Sequence, residues 1–223
     1  LTRLINPLLF IPSPRDIPRF AEATAKLEID KLWVKYHPPI SSWSTASRLF
    51  TEDDRFKEYT HLVILPDDLI ITNEHLEMLI NDIVKKDYPV LSGTCNVDIS
   101  KQNKGKYAVC LELPPIADIR ADYYKWMIEE DRQKLLQHNS IHKVKHAGFP
   151  LMFIRRDIAE KIPLHLSHLK CCADLQFCWD CHDNNVPIYA DLTVVGDHLK
   201  IRDGVYEYYF VGIKKPLIRF EKI

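Results

Sequence analysis

YTHLVILPDDLIITNEHLEMLINDIVKK, residues 59–86, has three parts. Leu62-Val63-Ile64-Leu65 is a short, continuous apolar run rich in branched residues, the pattern of a strand buried on both faces. Pro66-Asp67-Asp68 follows at once, so the run ends in two adjacent acids. Leu76, Leu79, Ile80 and Ile83 then recur at helical spacing, and the helix is closed by Lys85-Lys86 and Pro89. A strand, an acidic pair at its carboxyl end and a helix packing back is how an open α/β sheet presents ligands to a cleft. Two carboxylates there would hold a divalent cation, and the cation would hold phosphates.

Outward from this stretch the same texture continues. Leu8-Leu9-Phe10-Ile11 and Leu32-Trp33-Val34-Lys35-Tyr36 read as strands, with a helix over 16–29 between them. That spacing predicts a parallel, right-handed crossover. A short helix within 41–55 precedes the central stretch, and strands at 90–93 and 107–111 follow it. Residues 119–138 predict an amphipathic surface helix, and 151–154 a strand leading into a helix at 156–162. A further helix spans 173–184, before two strands at 188–190 and 193–195. No repeat or linker divides the chain. The expected fold is α/β: one domain with a mixed sheet flanked by helices, parallel to about Gly93 and mixed beyond it.

Composition narrows the functional classes. The chain has 223 residues, 46% hydrophobic and 27% charged, which is ordinary globular usage. A formal net charge of -1 gives no general pull toward nucleic acid or anionic membrane. No apolar run approaches the roughly 18 residues needed for a transmembrane helix. Without a basic-then-apolar leader the expectation is a cytoplasmic protein, a membrane-peripheral position being left open. With six glycines the chain has neither GxGxxG nor GxxxxGK[ST].

Four positions could carry chemistry. Asp67-Asp68 either charges the start of the next helix or binds a cation. Gly148, before a strand, is either a turn glycine with positive φ or a place where a side chain would block a substrate. Asp174 is either a helix N-cap or a general base for a hydroxyl. His198 gains meaning if it converges on the acids, since imidazole plus carboxylates suits Mn²⁺-type sites. Cys178-Trp179-Asp180-Cys181-His182 matches CxxCH, so haem or zinc is a competing reading. Placement inside an amphipathic helix argues for core packing instead.

Taken in order, these features resemble a GT-A-type glycosyltransferase. LPDD at a strand end (65–68) resembles the DxD element that binds a metal and a sugar-nucleotide diphosphate. HAGFPLMFIRRDIAEKI (146–162) resembles the segment in which a glycine lines the acceptor site. CCADLQFCWDCHDNNVPIYADLTVVGDHL (171–199) resembles the stretch with the base, a helix, an "iyaD" strand and a late histidine. The resemblance implies a Rossmann-related GT-A fold, its nucleotide-binding half at 1–93 and its acceptor-binding half at 94–223. It implies Asp68, Asp67 and His198 as ligands of Mn²⁺ or Mg²⁺, and Asp174 as the catalytic base of an inverting transfer. It also implies nucleotide contacts from Pro12, Ser13, Arg15, His37 and Asp67, and acceptor contacts from Gly148 and Phe149. The partners would be a UDP- or GDP-sugar donor and a glycan, protein or lipid acceptor. Two positions depart: Pro66 stands where many members carry the first acid, and Ala173 replaces a glutamate that often precedes the base. The alternative is a catalytically inactive nucleotide-binding or interaction module of the same fold. A nucleotidyltransferase would want a basic, Gly-rich loop after the first strand, which is lacking here.

Overall fold

The computed structural model describes residues 5–12, 17–34, 39–97, 105–115, 124–165, 172–202, 205–208 and 219–220, with side chains described except at 39–42 and from 200 onward. Strand β1 (Pro7–Pro12) leads through helix α1 (Pro18–Ala25) to β2 (Asp30–Val34). Helix α2 (Pro39–Glu52) and a 3-10 turn then precede β3 (His61–Ile64) and the short β4 (Leu69–Ile70). After α3 (Asn73–Lys85) come β5 (Val90–Cys95), β6 (Lys106–Cys110), β7 (Trp126–Ile128) and α4 (Glu129–Leu136). The remainder is β8 (Ile141–Val144), β9 (His146–Ala147), β10 (Met152–Arg155), α5 (Arg156–Lys161), α6 (Ala173–Asp183), β11 (Ile188–Arg202), β12 (Val205–Tyr208) and β13 (Arg219–Phe220).

The main sheet runs β13-β12-β11-β5-β10-β3-β1-β2, with β4 and β8 also pairing β11. β1 is parallel to β2 and β3, and β11 is parallel to β5. β10 is antiparallel to both β3 and β5 and lies between them. So β3 and β5 are parallel but not adjacent, and the stretch to Gly93 is no self-contained parallel half. The carboxyl ends of β1, β2, β3 and β5 share one edge of the sheet, where open α/β sheets bind ligands. A second sheet, β7-β6-β9, is antiparallel.

β3 shows why the apolar run behaves as it does. Its side chains alternate between the two cores, Leu62 and Ile64 to one face, Val63 and Leu65 to the other. All four are 0% exposed. Burying each contributes about 1.5–3 kcal/mol, an upper figure. On α3, Leu76, Leu79 and Ile83 are buried as the spacing predicts, and Thr72 and His75 form a capping box at its start.

Two readings need correction. Within 119–138 the described residues form β7 and the eight-residue α4, not one helix. Met127 pairs with Tyr107 across the small sheet and is buried, while α4 begins at the acids Glu129, Glu130 and Asp131, which suit a helix N-terminus. The strands at 188–190 and 193–195 are one strand, β11, whose register against β5 shifts between Ala190 and Val195. Asp191 makes that irregularity: its Oδ1 accepts from the Thr193 N–H at 2.9 Å and the Thr193 hydroxyl at 2.6 Å.

Candidate functional site

A cavity of about 200 Å³ opens beside the corner after β3. Asp68, Leu69, Cys95, Trp126, Gly148, Phe149, Asp174 and His198 all contribute to its wall. Five of the sequence-chosen residues therefore meet around one space: Asp68, His198, Asp174, Gly148 and Phe149.

Asp68 and His198 meet because β4 folds back onto β11. Leu69 pairs with His198 and Ile70 with Asp197, and the Leu199 N–H donates to the Asp68 carbonyl at 2.6 Å. Gly196 permits this closeness, since a Cβ there would stand 2.9 Å from Leu69 Cδ1. His198 Nδ1 lies 2.7 Å from the Asn96 carbonyl and so carries the proton, leaving Nε2 toward Asp68 Oδ2 at 3.6 Å. Burial pulls the imidazole down, but Asp68 and Cys95 outweigh it and lift the pKa to about 10, so without a cation Nε2 also holds a proton, which a bound metal ion would displace. A carboxylate oxygen and an imidazole nitrogen oriented by a carbonyl fit a Mn²⁺ or Mg²⁺ ion that takes its remaining ligands from phosphate and water. Among the described residues no group of three or more His, Cys, Asp or Glu is placed for a metal, so protein donors alone do not complete such a site.

Asp67 is 3% exposed and is not part of this cavity wall. The two acids occupy the turn between β3 and β4, and that turn presents Asp68, not Asp67, to the cavity. Pro12 is buried at the carboxyl end of β1, outside that wall. Ser13, Arg15 and His37 lie outside the described residues.

Asp174 occupies the first turn of α6 but is not its N-cap; Cys172 is, without a side-chain cap bond. The Asp174 Oδ1 accepts from the Leu175 N–H at 2.9 Å, and Oδ2 faces His146 Nε2 at 3.7 Å. Burial pushes this carboxyl up, yet His146, the Cys172 thiol and the Leu175 N–H together leave it below its ordinary value. The carboxylate stays ionised while 23% exposed toward the cavity. Gly148 does not have positive φ, so the turn-glycine reading falls. A Cβ there would sit 3.5 Å from Asp174 Oδ2 and 3.4 Å from the Ala108 Cβ. Phe149, 6% exposed, is held by Trp43 and Phe177 at centroid distances of 5.0 and 6.2 Å.

Sequence reasoning missed His146, Trp126 and Cys95. Trp126 fell inside the misread helix, and nothing marked a histidine in an alternating stretch as more than filler. None of the CxxCH residues lines this cavity. Cys178 and His182 border a second cavity of about 190 Å³ together with Lys143 and Lys145. Cys178 and Cys181 are fully buried, and burial raises both thiols, which suits core packing rather than ligation.

No protein-family model matches the chain, and no curated protein does. Among solved structures, A197 from STIV is similar with a TM-score of 0.58 at 21% identity, over 91% of this chain and 89% of that one. CMP:2-keto-3-deoxy-manno-octonic acid synthetase complexed with CTP gives 0.46 at 12% identity, over 83% and 88%. The inositol-1-phosphate CTP transferase from T. maritima gives 0.42 at 6% identity, over 86% and 91%. The chain is an α/β protein with a mixed central sheet flanked by helices, sharing its fold with A197 from STIV across most of its length.

Proposed function

We propose that the chain is a metal-dependent glycosyltransferase that moves a sugar from a nucleoside diphosphate donor to an acceptor hydroxyl with inversion. The observation that carries this reading is the convergence of Asp68, His198, Asp174 and Gly148 on one cavity. Mn²⁺ or Mg²⁺ on Asp68 and His198 would neutralise the diphosphate as it departs. While the acceptor's hydroxyl oxygen forms the new glycosidic bond and the sugar–phosphate bond breaks, its proton passes to Asp174 Oδ2. Gly148 leaves room for the acceptor beside that oxygen, and Phe149 and Trp126 offer aromatic wall to a sugar ring. The nucleotide would lie along the sheet edge toward Pro12.

A panel of UDP- and GDP-sugars, with and without Mn²⁺, tests this by thermal shift. One nucleotide is expected to stabilise the protein only with metal, roughly 5–10 °C near 100-fold saturation. Asp68→Ala should abolish the shift. Asp174→Asn should keep it and lower transfer by about 10²–10⁴. A metal-independent shift, or none with any nucleotide, would overturn the proposal.

Pro66 supports a second reading, a nucleotide-binding module without catalysis, because it lines the cavity where the resemblance places an acid. That module would give the same metal-dependent shift with neither transfer nor donor hydrolysis in the wild type.

A further inference from the structure

His146 stands directly behind the candidate base, and no role has been given to it. It is 0% exposed, on the two-residue strand β9, packed edge-on against the stacked rings of Tyr124 and Trp126 at centroid distances of 5.4 and 5.6 Å. Neither ring nitrogen has a hydrogen-bond partner among the described residues. A buried imidazole kept only to fill space would ordinarily bond at least one nitrogen, since leaving both unpaired is costly. Asp174 Oδ2 lies 3.7 Å from its Nε2. That same oxygen lies 3.5 Å from where a Cβ on Gly148 would be, so it faces the acceptor side of the cavity.

We propose that His146 is a positioning residue: through Nε2 it holds Asp174 Oδ2 on the Gly148 side of the cavity, where an acceptor hydroxyl would deliver its proton. This inference rests on Asp174 being the base.

The surroundings make the contact matter. The groups facing Asp174 are the Cys172 thiol before α6, the Cys110 thiol of β6, the Cys178 thiol one turn along α6, and His146 itself. Across the cavity stand Asp68 and His198. Burial raises all three thiols, Cys110 and Cys172 to about 12, so they are neutral at ordinary pH. His146 is thus the one titratable cation-former packed directly on the carboxylate among the described residues. Removing it leaves burial less opposed, and the carboxyl should protonate at higher pH.

The test combines kinetics with a measurement that needs no turnover. His146→Phe keeps a ring and deletes both nitrogens; His146→Gln keeps an N–H donor. In the phenylalanine variant the acid limb of the kcat–pH profile should move up by about one unit or more, kcat should fall roughly 10–100-fold, and the donor KM should stay within about twofold. Glutamine should restore most of kcat and return the acid limb. Separately, at one fixed pH the ring ¹⁵N resonances of His146 should differ between the wild type and Asp174→Asn. An unmoved acid limb in a folded His146→Phe protein, or identical His146 ring resonances in both proteins, would overturn the proposal. If the phenylalanine variant fails to fold, the glutamine variant and the resonance comparison still decide. A wild type without transfer activity would sink the glycosyltransferase reading, while the resonances would still report whether His146 and Asp174 are coupled.

Discussion

A methyl group on residue 148 would meet its neighbours at ordinary van der Waals distance, so alanine fits where a longer side chain would not. Gly148→Ala should therefore change stability by less than about 1 kcal/mol. Gly148→Leu should fill the space beside Asp174 Oδ2, abolishing transfer to the acceptor while the donor's metal-dependent thermal shift remains. Steady-state kinetics beside the shift assay separate the two outcomes. Asp68, His198, Asp174 and Gly148 were legible as neighbours at one cavity from motif order, each being tied to the end of an element the apolar pattern already located. Asp67 and His146 were not. Which of two adjacent acids faces a cleft depends on how the chain turns out of its strand, and a histidine's service to another side chain leaves no trace in spacing.

The β4–β11 ribbon shows how elements set the site's geometry. Two residue pairs and one bond from the Leu199 N–H keep Asp68 opposite His198. Gly196→Ala would force a Cβ to 2.9 Å from Leu69 Cδ1 and 3.0 Å from its Cγ, a clash in a packed place. The expected cost is about 1–3 kcal/mol in the denaturant midpoint, with loss of Mn²⁺-dependent donor binding by calorimetry. β4 escaped sequence reading because two residues are too few to show alternation. β11 was split in two because Asp191 and Thr193 interrupt its apolar pattern; its continuity comes from pairing with β5, β4 and β8. Arg132 joins the small sheet to this strand, donating to the Leu192 carbonyl at 2.8 Å and to Glu129 at 3.1 Å while stacked over Tyr107. Arg132→Met should destabilise by about 2–3 kcal/mol in urea, because the carboxylate of Glu129 and a main-chain carbonyl lose a charged donor.

At the scale of the molecule, one acid pair couples stability to pH. Burial first, and then the hydrogen bond with Asp191, raise the Asp82 carboxyl above 3.8; the nearby Lys85 ammonium only partly opposes this. The native state therefore binds this proton more tightly than the unfolded chain. The group's contribution is most favourable in acid and is lost as pH rises from 3.8 through the raised value. Asp82→Asn should be more stable than the wild type at pH 7, with a urea midpoint that falls less as pH rises above 3.8. A wild-type midpoint at pH 7 equal to or above the variant's would refute this.

The position of β10 governs the order of events during synthesis. Residues 152–155 close the seam between β3 and β5, whose facing edges have no other strand to join until that late segment has left the ribosome. Pairings so distant in sequence carry a large loop-closure cost and slow folding. A nascent or proteolysed piece holding 1–93 alone would expose two hungry strand edges, a state that invites chaperone capture or aggregation.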